Sequence, residues 1–300
     1  MGRGSWLAFL SVARNGPEES FANGVMMDKF DIVSSATDPA GARIRALIDG
    51  DGRRNRNEIL IENETNILGA LEAGVDLLHV YGSRSLEGSV VVPGLPPDIP
   101  TSFVLEEVLR KLFERTRVPD VFAVARLPAR QTFRALTAST GDIVVLDALN
   151  GPGNIGSIIR IATAFEAAGV VFLNQDRTDV YRRGIVRASA GTIFKLPIVT
   201  ATTVSFVRFC RASGTRIVAT SAHAQGGFDE VASCPDRLAL VFSSETNGCS
   251  ADMEAAAHWQ CRIPMSPRVE SLNVSAAASV LLFARSPFAR ATTLQTVGSA

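Results

Sequence analysis

The spacing of apolar positions changes character near residue 41. Residues 1–40 hold no sustained period and are rich in Gly, Ser, Ala and Asn, the composition of a flexible leader in which Met26 or Met27 is a second candidate start. From there, helical spacing alternates with short apolar runs: a helix over 42–48, a strand over 58–62, a helix over 63–73 and a strand over 77–81. After a Gly/Pro/Ser stretch at 82–100, Val104, Leu105, Val108, Leu109 and Leu112 place a helix over 103–113, and a strand over 121–127 follows. This pattern predicts a small α/β domain over 41–137.

Residues 128–140 lose the apolar period and read as a linker, with the domain boundary near Ala138. Beyond it the spacing predicts strands at 143–147, 170–173, 192–199, 216–220, 238–243 and 262–265, with helices at 154–168, 204–212, 251–257 and 273–284. Near-continuous apolar strands alternating with helices predict an α/β fold over 138–300, a mostly parallel sheet covered on both faces.

Three hundred residues, 46% of them hydrophobic, are enough for two domains with buried cores. The apolar run from Trp6 to Ala13 is far short of the ~20 residues of a membrane span, so a cytoplasmic protein without membrane attachment is expected. Thirty basic and thirty acidic residues cancel, so any attraction to nucleic acid must come from local patches. The four cysteines and three histidines show no metal-ligand spacing, and reduced thiols without a metal are expected.

The chemistry concentrates at Gly151-Pro152-Gly153-Asn154-Ile155-Gly156-Ser157-Ile158-Ile159-Arg160, between an apolar strand and a helix. As G-x-G-x-x-G, with Asp176 twenty residues after Gly156, it fits the fingerprint of a dinucleotide-binding oxidoreductase. As G-N-I-G-x-I-I-R it fits a different site. At 100° per residue, Ile155, Ile158, Ile159 and Ala162 form one stripe and Arg160 points away from it, so Arg160 is not there for packing. Two further strand-end loops follow, Phe242-Ser243-Ser244-Glu245-Thr246-Asn247-Gly248 and Ile263-Pro264-Met265 with Ser271-Leu272-Asn273-Val274-Ser275. Asn273 and Ser275 also suit plain helix capping.

In this order and spacing the three segments resemble the motifs of SpoU-type RNA methyltransferases of the SPOUT superfamily. The preceding region, with Gly74-Val75, Val80-Tyr81-Gly82 and Ala125-Arg126-Leu127-Pro128, is similar to the amino-terminal domain of the thiopeptide-resistance rRNA methyltransferases. The resemblance implies a knotted parallel-sheet catalytic domain, a smaller amino-terminal RNA-binding domain and a homodimer. It implies S-adenosylmethionine as cofactor and ribosomal RNA as partner, with the methyl group going to a ribose 2′-hydroxyl, an adenosine of the 23S GTPase-associated loop being the expected target.

On the positions that match, Arg160 would act on the hydroxyl, with Asn154, Glu245, Ser271 and Asn273 assisting. Thr220, Ser221, Phe242, Ser243, Ser244, Gly248, Ile263, Met265 and Leu272 would hold the cofactor. Relatives usually carry glycine where this chain has Ser243. Phosphate contacts are expected from Arg53, Arg54, Arg56, Arg115, Arg117, Arg126 and Arg187. A tRNA or another rRNA ribose as target, and a non-catalytic RNA-binding relative, stand as alternatives, as does the oxidoreductase.

Overall fold

The computed structural model describes residues 31–50, 57–83, 92, 94–114, 118–244 and 248–289. Most of the expected leader, together with Arg53, Arg54, Arg56, Arg115, Arg117 and Glu245, lies outside the described residues.

The amino-terminal part runs β1 (Asp31–Val33), α1 (Pro39–Asp49), β2 (Glu58–Glu62), α2 (Glu64–Glu72), β3 (Leu77–Ser83), β4 (Thr101–Val104), α3 (Glu106–Phe113) and β5 (Val121–Arg126). The strands form a five-stranded sheet in the order β1-β4-β3-β5-β2. It is mixed: β3 runs parallel to β4 and antiparallel to β5, and β2 is antiparallel to β5. Two expectations shift here. Residues 31–40 carry β1 and the start of α1, whose Asp38 cap accepts a hydrogen bond from Gly41 N at 2.7 Å. The run expected as one helix over 103–113 divides, because Ser102 and Val104 alternate inward as a strand before the helical spacing begins.

After α4 (Phe133–Leu136) come β6 (Ile143–Asp147), α5 (Pro152–Ala164), β7 (Gly169–Leu173), α6 (Arg177–Val180), α7 (Arg183–Ala188), a 3-10 turn at Thr192–Phe194 and β8 (Ile198–Ala201). Then α8 (Thr203–Ser213), β9 (Arg216–Thr220), α9 (Phe228–Ser233), β10 (Leu238–Ser243), α10 (Ala251–Ala256), β11 (Trp259–Cys261) and α11 (Val274–Arg285) complete the described chain. The six strands pair in the order β11-β9-β10-β6-β7-β8, every pair parallel.

Burial of β6, β7 and β10 on both faces explains their unbroken apolar sequence. Alternate residues separate two cores. Val144, Leu146, Phe172, Leu240 and Phe242 pack with Ile155, Ile158, Ile159 and Leu281, whereas Ile143, Val145, Val171 and Val241 pack with Phe206, Cys210 and Met253.

Four expectations in this half are corrected. Residues 128–140 do not run free: Gln131 bridges to Val199, and α4 buries Leu136 completely. The strand expected at 192–199 is a 3-10 turn followed by β8, since Pro197 lacks a donor for the ladder and β8 starts just after it. The strand expected at 262–265 falls earlier, at β11, and Pro264 lies in the loop beyond. Helix α5 starts at Pro152, whose fixed φ suits a first helical position, and ends at Ala164. The short helices α6, α7 and α9 give no period long enough to read.

Strand order, not strand direction, switches across the parallel β6–β10 pair: β6, β7 and β8 extend one way in sequence order, while β9, β10 and β11 occupy the other side. Ligands in open parallel sheets sit outside the carboxyl ends of strands at such a switch point.

Candidate functional site

The carboxyl ends of β9, β10 and β11 open on a cleft of about 540 Å3, inside the ~300–1,000 Å3 range of small-molecule sites. Hydrogen bonds between loop ends shape it. The Thr220 hydroxyl donates to Val241 O at 2.7 Å, and Ser221 N donates to Cys261 O at 3.0 Å. Gly248 N returns to Ser244 O at 2.9 Å, a turn closed by Gly248 at φ +66°, where glycine carries no steric cost. The loop is then tied to the end of β6, since Ser250 N donates to the buried Asp147 carboxylate at 2.7 Å.

Thr220, Ser221, Ser243, Ser244, Gly248, Ile263, Met265 and Leu272 all line this cleft, as does Ser271. Phe242 does not. The alternation of β10 turns its ring into the core beside Leu240, and only its backbone runs toward the cleft. Ser243 is almost completely buried, and its Oγ takes a long contact from Cys249 Sγ at 3.6 Å. Burial pushes the Cys249 thiol above its ordinary value, against the pull of that Ser243 contact. His223, Cys249, Glu254 and Glu270 also line the cleft. Sequence reasoning missed them because they follow the strand ends at irregular distances, and only the strand-end loops themselves pointed there.

Across the switch point, Asn154 lies in the first turn of α5, while Asn273, between the cleft residues Leu272 and Val274, caps α11. Asn273 Oδ1 accepts from Ser275 N at 3.0 Å, while its Nδ2 donates to Asn154 Oδ1 at 3.1 Å. Asn273 is therefore both a cap and a link between two strand-end loops. Arg160 is exposed and has no side-chain partner among the described residues. Six residues beyond Asn154 on α5, it lies about 240° further round the helix, so the fold does not turn it toward the same face. The apolar stripe expected beneath it is fully buried.

Of the basic residues expected on RNA, the described ones, Arg126 and Arg187, are partly engaged, as are arginines near them. Arg126 pairs with Asp76 at 2.9 Å on the open surface. Arg183 binds the buried Glu62 carboxylate at 2.6 Å and lies over the Phe113 ring, with Arg187 4.0 Å from the same carboxylate. Arg177 donates to Pro128 O at 2.8 Å and Arg182 to Asn150 O at 2.5 Å. Arg130 and Arg134 are exposed.

The dinucleotide reading loses its acidic residue. Asp176 caps α6, accepting from Thr178 N at 2.7 Å, and Gly156 faces α7. Among the described residues, no group of three or more His, Cys, Asp or Glu could hold a metal, and no helix is long and apolar enough to cross a membrane.

A backbone-rich cleft with the apolar side chains of Ile263, Met265, Leu272 and Leu281 and the carboxylates of Glu254 and Glu270 fits a ligand with a flat apolar ring and a positive charge. Residues 142–283 match the model of the SpoU rRNA Methylase family, and residues 30–139 match that of the thiostrepton-resistance methylase N terminus. The 23S rRNA (adenosine(1067)-2′-O)-methyltransferase of Streptomyces azureus is 33% identical over 261 residues, 86% of this chain and 97% of that protein. A solved RNA 2′-O ribose methyltransferase superposes with a TM-score of 0.72 at 29% identity, covering 85% of this chain and 97% of that one. The SpoU methyltransferase AviRb of Streptomyces viridochromogenes, solved in complex with the cofactor AdoMet, gives a TM-score of 0.71 at 28% identity, over 81% of this chain and 95% of that one.

Proposed function

The chain belongs to the SpoU rRNA methylase family, and on that premise we propose that it methylates the 2′-hydroxyl of an adenosine ribose in the GTPase-associated loop of 23S rRNA, conferring thiopeptide resistance. Similarity that runs through both the methylase region and the thiostrepton-resistance amino terminus supports this reading, because the relative matched over 97% of its own length is named for methylation of that adenosine.

S-adenosylmethionine, when bound, supplies a methyl group on a sulfonium that is already a good leaving group. Thr220, Ser221, Ser243, Ser244, Gly248, Ile263, Met265 and Leu272 would hold it in the cleft. What remains for the protein is placement of the hydroxyl and help with its proton. Asn154, Asn273 and Ser271 shape the acceptor side. Arg160 brings a guanidinium, a five-donor cation, to the acceptor side. It binds the 2′-hydroxyl or an adjacent phosphate and lowers the cost of removing the hydroxyl proton.

Residues 41–137 form the RNA-binding domain and 138–300 the methyltransferase domain in this reading. The active form is a cytoplasmic homodimer with a knotted catalytic domain. Exposed Val280 and Phe283 on α11 and Phe288 beyond it supply apolar surface for a second copy. The experiment is incubation of the purified protein with labelled S-adenosylmethionine and the isolated rRNA loop, followed by mapping of the modified nucleotide. One adenosine 2′-O-methyl is expected, and no transfer to any RNA would overturn the reading.

A further inference from the structure

The whole chain is electrically neutral, yet the cleft is not. Among the described residues, its lining includes Glu254 and Glu270 and no lysine or arginine. Neither glutamate has an ion-pair partner among the described residues. A third carboxylate, Asp147, is buried under the Ser250 end of the loop, where it accepts from Ser250 N. A solvated acidic residue on a helix needs no explanation, but unpaired carboxylates beside a cleft without a compensating cation set up a negative potential inside it. That field reaches the cleft wall: after burial and the opposing Ser243 contact, the charges of Asp147 and Glu254 push the Cys249 thiol further up.

We propose that Glu254, supported by Glu270, sets the charge preference of the cleft, favouring a cationic sulfonium ligand over its neutral thioether counterpart. The proposal rests on the cofactor reading above. S-adenosylmethionine carries one more positive charge than S-adenosylhomocysteine, and the two are otherwise nearly isosteric. Contacts to adenine, ribose and the amino-acid end therefore cancel in the ratio of their affinities. What survives is the interaction of the extra charge with the field of the site. A carboxylate across a partly solvated cleft acts on that charge strongly enough to change the ratio by roughly tenfold. Glu254 thus works as a specificity determinant that touches neither the acceptor nor Arg160, helping the cleft to release product in favour of a fresh methyl donor.

The test is calorimetric titration of the full chain with S-adenosylmethionine and with S-adenosylhomocysteine, on the wild type and on Glu254→Gln, Glu254→Asp, Glu270→Gln and the double glutamine variant. Thermal melts check folding, which substitution of exposed side chains leaves intact. The expected result is an affinity ratio, methionine form to homocysteine form, that falls about tenfold in Glu254→Gln and further in the double variant, with Glu254→Asp close to wild type. The difference between wild type and Glu254→Gln is expected to shrink as salt rises. A ratio that moves less than about twofold in both Glu254→Gln and the double variant overturns the proposal while leaving the cofactor reading in place. Failure of the wild type to bind either ligand overturns the cofactor reading itself.

Discussion

Asn273 Nδ2 donates to Asn154 Oδ1 across 3.1 Å, joining the first turn of α5 to the cap of α11 over 119 positions of sequence. The bond spans the switch point of the sheet, with the cleft loops on one side and the Arg160 helix on the other. Because Asn273 also caps α11 through Ser275 N, its substitution mixes two effects that need separating.

Asn273→Ser keeps a capping hydroxyl but is too short to reach Asn154, and Asn154→Ala removes the acceptor without touching a cap. Both are expected to shift Tm by no more than about 4 °C, the effect of about 1 kcal/mol in a chain of this size. Methyl transfer is expected to fall roughly 10- to 100-fold, since displacement of a positioning group by about 1 Å costs on that order. The double variant is expected to lose little more than either single one. Additive losses in transfer would show that the two loops act separately.

Arg160 stands off the buried stripe of α5 and holds no partner among the described residues, so its removal takes nothing from the fold. Arg160→Ala is expected to reduce transfer by at least ~100-fold, the scale of losing one charge-stabilising donor. Its urea midpoint and its calorimetric affinity for S-adenosylmethionine are expected to match wild type. A variant that unfolds would instead make Arg160 structural.

Elements buried on both faces were the readable part of this chain. β6, β9 and β10 carry apolar runs bounded by polar residues, and the α5 stripe is complete in sequence, so the strand bounds and the buried face of the helix follow from period alone, though not the helix ends. The helices α6, α7 and α9 have six residues or fewer, less than two turns, and leave no period to detect. Long-range pairing was invisible for a different reason. That Arg183 answers Glu62, or that Asn273 reaches Asn154, depends on which strand ends the sheet order brings together. The strand-end loops marked the cleft, but Glu254 enters it only because α10 folds back beside β9 and β10.

Arg285, at the end of α11, carries a buried ion pair that closes the methylase half. It meets Asp142 at 2.7 and 2.9 Å, and also donates to the carbonyls of Val231, Cys234 and Asp236. Arg285 and Asp142 are 4% and 9% exposed, so neither charge is left to water. Arg285→Met is expected to cost about 3–5 kcal/mol in urea unfolding, because it strands the Asp142 carboxylate. Asp142→Asn in the same chain is expected to recover part of that loss. A cost under about 1 kcal/mol would place the pair in the class of weak surface bridges.

Besides Cys249, burial raises Cys261 to about 11, and Cys210 and Tyr181 each to about 12, in the methylase half. Each is neutral when protonated, and the folded state holds its proton more tightly than the unfolded chain, whose thiols and phenol titrate near 9.0 and 10.0. Their contribution is fully present below those ordinary values and is lost as pH rises through the raised ones. Urea midpoints are expected to stay level from about pH 7 to 8.5 and to fall steadily from about pH 9 to 11. A level profile across that upper window would contradict this assignment.

The glycine motif supplies a final discrimination, because its two inner glycines sit in opposite surroundings. A Cβ at Gly153 would meet nothing within 4 Å, and its backbone is helical in the first turn of α5. A Cβ at Gly156 would fall 2.4 Å from Ala188 Cβ and 2.8 Å from the backbone of Ala188 and Ser189, so Gly156 is where α7 closes on α5. Gly153→Ala is therefore expected to be neutral or to stabilise by up to about 1 kcal/mol. Gly156→Ala is expected to destabilise by about 1–3 kcal/mol through overpacking. A pyrophosphate-binding loop would require the opposite pattern at Gly153, where close approach of a ligand to the backbone leaves no room for a methyl. Retention of methyl transfer by Gly153→Ala, with a lowered urea midpoint for Gly156→Ala, would show that Gly156 serves helix packing and that Gly153 does not hold a dinucleotide. Loss of S-adenosylmethionine binding in Gly153→Ala would reverse that assignment and bring the ligand to the start of α5.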